Sequence, residues 1–489
     1  MTTELVVFLV YLVFMIGIGV FFFLRSKGGD EKMYFLGGRK MGAWVSALSA
    51  GASDMSAWVL MGLPASIYAL GIGQGWIAIG LAVGYALSWI FEAPRLRRFS
   101  IVANDSITIP QYLTNRFLSR SRALQIICAV IFLFAYTIYA ASSIKACGTL
   151  FNTVLGVDAS LAMYLSAFII VAYTFLGGFS AVCWTDFFQG LLMLAALLVA
   201  PIFALALYSA GEGAAVGVSY PAHYWSLLST GKFDWGSISD ILSGLGWGLG
   251  YFGMPHIIIR FMSLKSQKEL RKSSVIGISW TILILVFSVA AGCIGRAFLG
   301  EISDSSVVFI TMVRRIFPPV ISGILLSAIL SASMSTADSQ LLASASAFAS
   351  DVYKPVFRKK ASDREMLWAG RFVVMAISVI AVIIAANPAS GTIMGLVENA
   401  WGVFGAAFGP VILLSLFWRR FNFAGAVAGI LAGAIVDIVW LLTLSFTGIY
   451  EIIPGFIAGL LAAIVVSLLT KAPEKEVGEL FDRAVEADV

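Results

Sequence analysis

Leu48-Ser-Ala-Gly-Ala-Ser-Asp-Met-Ser-Ala-Trp58 places Asp54, three hydroxyl side chains and Gly51 inside a segment that is otherwise apolar enough to cross a membrane. A carboxylate and a weakened helix are costly at bilayer depth, and segments that carry them line substrate or ion paths. A second interrupted segment follows about five crossings later: Ser243-Gly-Leu-Gly-Trp-Gly-Leu-Gly-Tyr-Phe-Gly-Met-Pro255. Two broken segments in corresponding positions point to the binding site of a secondary transporter.

The surrounding chain fits that reading. Of 489 residues, 60% are hydrophobic and 12% charged, and the mean hydropathy is +0.94. This composition excludes a soluble domain and predicts an all-α polytopic membrane protein. Thirteen apolar segments are expected, at 4–24, 42–70, 75–94, 123–152, 159–178, 185–211, 238–261, 273–298, 307–349, 366–387, 393–418, 423–446 and 450–470. The ninth is longer than one crossing needs, so its start, with Arg314 and Arg315, reads as a separate surface helix. The first lacks a basic run before it and reads as a retained span, not a cleaved leader.

Basic residues set the expected orientation. All but five of the 32 Lys and Arg (Lys145, Lys232, Arg296, Arg314 and Arg315) lie in or beside alternate connections and the C-terminal tail. The positive-inside rule then puts the N-terminus outside and the C-terminus in the cytoplasm, in the cytoplasmic (inner) membrane. Net charge +5 follows from this bias and calls for no nucleic-acid partner. Lipid is the surrounding partner, and no obligatory protein partner is evident. The chain is expected to form one transmembrane domain over 1–471, with an acidic, frayed cytoplasmic tail at 472–489. If each broken segment opens a five-helix unit, the units span 42–211 and 238–418. Five is odd, so the second unit is inverted, with 4–24 and 423–470 peripheral.

Chemistry concentrates at the breaks. Gly51 is expected to loosen the helix, with Ser49, Ser53 and Ser56 re-bonding freed backbone groups. An unwound turn offers carbonyl oxygens, from Ala52 and Met55, to a hard cation, with the charge of Asp54 nearby. Ser327-Ala-Ile-Leu-Ser-Ala-Ser-Met-Ser-Thr-Ala-Asp-Ser-Gln340 adds the hydroxyls of Ser335 and Thr336 and the carbonyl of Ala332, with Asp338 and Ser339 within reach of that face. Five neutral oxygens suit sodium, whereas a softer metal would want His or Cys. Asp186 opens the segment at 185–211. It either caps that helix or serves a gate or second ion shared with Asp338 and Ser339. Between the breaks, Trp58, Tyr139, Trp247 and Tyr251 form an aromatic pocket suited to a small zwitterion with an apolar ring. A free half-helix N-terminus would take its carboxylate. The four cysteines read as packing residues, and no Walker A, H-E-x-x-H or G-x-S-x-G motif suggests an enzyme.

These residues resemble the sodium/solute symporters. The matching runs are Tyr34-Phe-Leu-Gly-Gly-Arg39, Leu48 to Trp58 with Met61-Gly-Leu-Pro64, Gly246 to Gly253 with Pro255-His256, Arg260-Phe-Met262, Gly323 to Ile329, Met334-Ser-Thr336, Gly405-Ala-Ala-Phe-Gly-Pro410 and Tyr450-Glu-Ile-Ile-Pro-Gly455. The similarity is closest to bacterial members that carry L-proline. It implies thirteen helices with a five-plus-five inverted-repeat, LeuT-like core, and sodium-coupled uptake by alternating access. It implies a sodium site at Ala52, Met55, Ala332, Ser335 and Thr336, and substrate positions at Ser56, Trp58, Tyr139, Trp247, Tyr251 and Pro255. Asp54, Arg39 and Asp186 match coupling or gating positions. Asp186, Ser335, Asp338 and Ser339 match a second sodium site of some relatives. Met254 departs from the Gln of proline carriers. Another small amino acid or a monocarboxylate is the alternative solute. An ion channel or a membrane sensor is the alternative class.

Overall fold

The computed structural model describes residues 3–25, 31–176, 178–213 and 218–487, which form helices and no strands. The principal helices are α1 (Thr3–Arg25), α2 (Ala43–Asp54), α3 (Gly62–Leu70), α4 (Gly75–Leu87), α5 (Ala93–Val102), α6 (Ala123–Leu155), α7 (Ala159–Leu176), α8 (Phe179–Ser209) and α9 (Trp235–Gly246). They continue as α10 (Pro255–Ser263), α11 (Gln267–Leu299), α12 (Pro319–Phe348), α13 (Asp363–Ala386), α14 (Ile393–Phe417), α15 (Phe423–Thr443), α16 (Ile452–Leu469) and α17 (Lys475–Glu486). Among the described residues, ten helices are long and apolar enough to cross a membrane. The remaining apolar segments are the two broken helices, α2–α3 and α9–α10, and the shorter α7.

Both breaks have local causes. Helix α2 runs regularly through Gly51 to Asp54; Met55 then leaves helical geometry and Ser56 is extended, capping a short 3₁₀ turn at Ala57–Val59. Gly51 therefore does not loosen the helix. A Cβ there would stand 2.5 Å from the Trp280 ring, so the glycine admits α11. In the second break, a 3₁₀ turn at Trp247–Phe252 ends at Gly253, Met254 is extended, and Pro255 starts α10 at a position where its missing N–H costs nothing.

Helix α2 is packed among α8, α10, α11 and α12, and the second break lies between α4 and α14. Glycines permit that second contact. A Cβ on Gly84 would meet the Gly248 carbonyl oxygen at 2.2 Å, and one on Gly248 would meet the Gly80 carbonyl oxygen at 2.4 Å.

Two further expectations change and one is met. Helix α8 begins at Phe179, so Asp186 lies in its third turn and caps nothing. The segment 307–349 is two helices, Val308–Ile316 and α12, as its length suggested. The tail is not frayed over Lys475–Glu486. Val477, Leu480, Phe481 and Ala484 recur at helical spacing and are buried, and Arg419 grips Asp482 through two 2.8 Å bonds.

Gly84→Ala should cost about 1–3 kcal/mol by overpacking α4 against the second break. Gly17, where an added Cβ would meet nothing within 4 Å, should accept Ala without loss. Thermal unfolding in detergent compares the two; equal melting temperatures would refute the close-approach argument.

Candidate ion and solute site

The first break frees backbone carbonyls, and neighbouring helices meet them. Ser335 Oγ on α12 lies 2.7 Å from the Ala52 carbonyl oxygen and 3.2 Å from that of Ala332. Thr336 Oγ1, one residue on, is buried with no hydrogen-bond partner among the described residues. Met55 is fully buried beside them. The two carbonyls and the Ser335 hydroxyl thus form one oxygen cluster, with an unsatisfied hydroxyl adjoining it in sequence. Such hard neutral oxygens suit an alkali cation. No cluster of His, Cys, Asp or Glu among the described residues could hold a softer metal.

Asp54 faces the second break. Its Oδ2 accepts a 2.6 Å hydrogen bond from the Tyr251 hydroxyl, and its Oδ1 is buried without a partner. Its carbonyl accepts from the Ser56 N–H (2.8 Å), the Tyr139 hydroxyl (3.3 Å) and Trp58 Nε1 (3.4 Å). Asp54 therefore ties the first break to the aromatic residues predicted for the solute.

Those aromatics are brought together and buried. The rings of Trp58 and Trp247 are 6.2 Å apart, and Trp401 Nε1 donates to the Trp247 carbonyl at 2.8 Å. Trp247 and Tyr251 do not share a face, because a 3₁₀ turn has three residues per turn. Trp247 packs on Trp58 and Tyr450, and Tyr251 on Tyr85, while both meet Trp401. Ser56 is engaged in its own turn, accepting from the Trp58 N–H at 3.4 Å. Of the serines expected to re-bond freed backbone, Ser53 donates instead to Ala50 within the helix (3.2 Å), and Ser49 donates to Asp186 (2.6 Å). Pro255 starts α10, but the following N–H is already bound, with His256 N donating to the Tyr136 hydroxyl at 3.0 Å.

Arg260 organises a second cluster. Its guanidinium donates to Asp186 Oδ2 (3.2 Å), Ser339 Oγ (2.6 Å) and Ser49 Oγ (3.1 Å), all buried. Asp338 is fully buried near this group, and both its carboxylate oxygens lack partners.

Arg39 lies at the far end of α2, held in the left-handed region (φ 54°) behind Gly37 and Gly38. Its guanidinium donates to Asp105 Oδ1 (2.9 Å) and to the carbonyls of Met262 (2.6 Å) and Ser106 (2.9 Å). These bonds join the entry to α2, the α5 connection and the end of α10, and they over-determine an otherwise costly backbone. Burial alone would raise the Asp105 carboxyl, but Lys32 and Arg39 outweigh it and hold it below the usual range. A depressed carboxylate contributes stability above the unfolded value of about 3.9, and that contribution fades as pH falls through the folded value. The clasp therefore persists at neutral and mildly acid pH.

Sequence reasoning missed Arg260, His256, Asp105 and Trp401. Arg260 read as a topology charge at the edge of an apolar run. His256 stood out as one of two histidines and in a run shared with the family, without an assigned role. It bridges the Ser53 carbonyl (Nε2, 3.2 Å) and the Tyr136 hydroxyl (Nδ1, 3.2 Å). Since a carbonyl only accepts, Nε2 carries the proton.

The sodium:solute symporter family model matches residues 34–433, and the chain belongs to that family of multi-pass membrane transporters. It is 44% identical over 491 residues to the osmoregulated proline transporter OpuE of Bacillus subtilis, covering 98% of each chain. It is 43% identical to the sodium/proline symporter of Escherichia coli, covering 99% of this chain and 96% of the other. Its fold matches a solved Na+-coupled sialic acid symporter with a TM-score of 0.79 at 19% identity, over 97% of this chain and 99% of the other. The all-α, LeuT-like architecture is thereby shown.

Removing one member of a buried ion pair costs about 3–5 kcal/mol. Arg260→Met should therefore lower the unfolding temperature sharply, and adding Asp186→Leu should restore much of the loss. A double-mutant cycle with additive effects would show that the pair is not coupled.

Proposed function

We propose that this protein couples inward sodium flow to uptake of L-proline by alternating access. The observation that carries the reading is the Ser335 hydroxyl set between the carbonyls of Ala52 and Ala332, beside an aromatic pocket that Asp54 tethers to the same break. Identity of 41–44% to several proteins named as proline transporters or sodium/proline symporters supports the solute and the ion.

Sodium would be held by the carbonyls of Ala52, Met55 and Ala332 and the hydroxyls of Ser335 and Thr336. The solute would lie among Ser56, Trp58, Tyr139, Trp247, Tyr251 and Pro255. Its ring suits the aromatic faces. Asp54 couples the two, because Tyr251 reaches it from the solute side. Each ligand then tightens the other by the same factor. Arg39 and Asp186 act as gate elements, Arg39 through the Asp105 clasp and Asp186 through Arg260.

Counting both broken helices and α7 gives thirteen crossings. The basic bias then sets the N-terminus outside and α17 in the cytoplasm, in the cytoplasmic membrane. The repeats run over 42–211 and 238–418, with α1, α15 and α16 peripheral. A second sodium at Asp186, Ser335, Asp338 and Ser339 is favoured by the unpartnered Asp338 oxygens and opposed by Arg260, a resident cation on Asp186 and Ser339. Charge moved per proline in voltage-clamped proteoliposomes decides between one ion and two.

Proline should accumulate in proteoliposomes under an inward sodium gradient and not under an equal potassium gradient. Ser335→Ala and Thr336→Ala should each raise the sodium needed for half-maximal uptake by about tenfold, the equivalent of about 1.4 kcal/mol. Unchanged sodium activation in both would overturn the cage. Trp247→Ala should weaken proline binding more than sodium binding in direct binding measurements, and equal losses would remove Trp247 from the pocket.

A further inference from the structure

His256 is fully buried where the two breaks and α6 meet. It is the second residue of α10, directly after Pro255. Ring Nε2 lies 3.2 Å from the Ser53 carbonyl oxygen on α2, and Nδ1 lies 3.2 Å from the Tyr136 hydroxyl on α6. The His256 N–H donates to that same hydroxyl at 3.0 Å, and its carbonyl accepts from the Arg260 guanidinium. The rings of Tyr136 and Tyr139 stand edge-on to the imidazole, 5.6 and 6.3 Å away.

Proton accounting admits one arrangement. The Ser53 carbonyl only accepts, so Nε2 holds the ring proton and Nδ1 keeps a lone pair. Tyr136 then gives its hydroxyl proton to Nδ1 and accepts the backbone N–H. Every polar atom of His256 is thereby engaged within the protein. No ring nitrogen is left for an ion or a solute, so its part in the site is indirect.

The peptide it holds lies between the oxygens of the ion cluster. The last helical bond of α2 runs from the Met55 N–H to the Gly51 carbonyl (2.8 Å). The next three carbonyls, of Ala52, Ser53 and Asp54, lose their helical partners at the break. Ala52 meets Ser335, Asp54 meets Tyr139, and His256 takes the one between. A carbonyl without a partner at bilayer depth costs several kcal/mol, so a bare Ser53 carbonyl would turn to find one. Peptide planes are rigid and hinge on shared Cα atoms, so turning one re-aims its neighbours.

We propose that His256 is a positioning residue for sodium. It fixes the Ser53 peptide, and through it the aim of the Ala52 and Met55 carbonyls, without touching the ion. The inference rests on the sodium reading given above and adds to it a residue outside the cage. Side chains that hold a metal ligand in its direction govern metal affinity by about 10–100-fold.

Binding of ²²Na to the full-length protein in detergent, without proline, tests the assignment apart from the solute. His256→Gln brings an amide N–H near the place of Nε2 and should bind sodium within about threefold of the native affinity. His256→Asn brings its amide near Nδ1, leaves the Ser53 carbonyl bare and should weaken sodium by about tenfold or more. In uptake by His256→Asn, the sodium requirement should move further than the proline requirement measured at saturating sodium. Tyr136→Phe releases the ring without altering it and should also weaken sodium binding, which keeps the test open should the His256 variants fail to fold. The chain has two histidines, so ¹⁵N-histidine protein carrying His223→Gln reports the His256 ring alone. Its Nε2 should carry the proton, and its signals should shift with the midpoint of ²²Na binding. Glutamine and asparagine variants that bind sodium equally well, with ring signals indifferent to sodium, overturn the positioning role. Equal losses in both variants, with Tyr136→Phe unchanged, reduce His256 to packing and overturn it too. Native protein that binds proline but no ²²Na overturns the sodium cage itself, and the positioning role with it.

Discussion

In a bilayer, a broken helix must find partners for its freed backbone groups inside the protein. The break at Met55–Ser56 meets this demand with side chains from separate helices. The Ala52 carbonyl goes to Ser335 on α12, the Ser53 carbonyl to His256 on α10, and the Asp54 carbonyl to Tyr139 on α6. Three helices are thus seated on three consecutive peptide groups. Any movement that opens the break must exchange these bonds for others, so the oxygens that suit an ion are also those that hold the bundle together. An ion entering the cluster competes for the Ala52 and Ala332 carbonyls with the Ser335 hydroxyl, which can turn its own lone pairs toward the ion.

Charge is handled in a similar way. Arg260 is a cation at the heart of the protein, and its fork collects Asp186, Ser339 and Ser49 from three helices. Its planar donors fit this arrangement better than a lysine's point charge would. Arg39 repeats the device at the far end of α2 on a more exposed carboxylate, Asp105. The buried group carries the larger stake, because a lone buried charge has no water to fall back on. In the clasp only Asp105 is open to solvent, so water can take over part of its charge if the pair separates.

The sequence made the two breaks and most of the candidate site legible, because polar residues inside apolar runs have few uses there. Ser335, Thr336 and Ala332 could be grouped by helical spacing alone. What could not be read was long-range. The step from Ser49 to Asp186, 137 positions apart, and from Arg39 to Asp105, 66 apart, follows from packing and from no periodicity. Asp186 looked like a cap because apolar counting started its helix at 185, whereas Gly178 stands at the helix N-cap and the chain turns helical at Phe179. Gly51 looked like a weak point because glycine lowers helix propensity, yet the Trp280 ring fills the space a side chain would need. The tail looked frayed from its acidic character, while Val477, Leu480, Phe481 and Ala484 already carried the helical period.

Coupling requires that the ion and the solute bias one element between two arrangements. The proposed function gives this part to the pair Tyr251 and Asp54. Tyr251 belongs to the aromatic wall and to the second break; Asp54 belongs to the first break, two residues from the Ala52 carbonyl. A 2.6 Å bond joins them. Asp54 keeps one oxygen unpartnered, so its side chain has a reason to shift when a cation arrives nearby. Any shift pulls on Tyr251, whose ring sits at right angles on Tyr85 and Trp401, 5.0 and 5.1 Å away. These rings are close-packed and cannot deform continuously, so under the proposed function a small displacement at the ion cluster would become a discrete rearrangement of the solute wall.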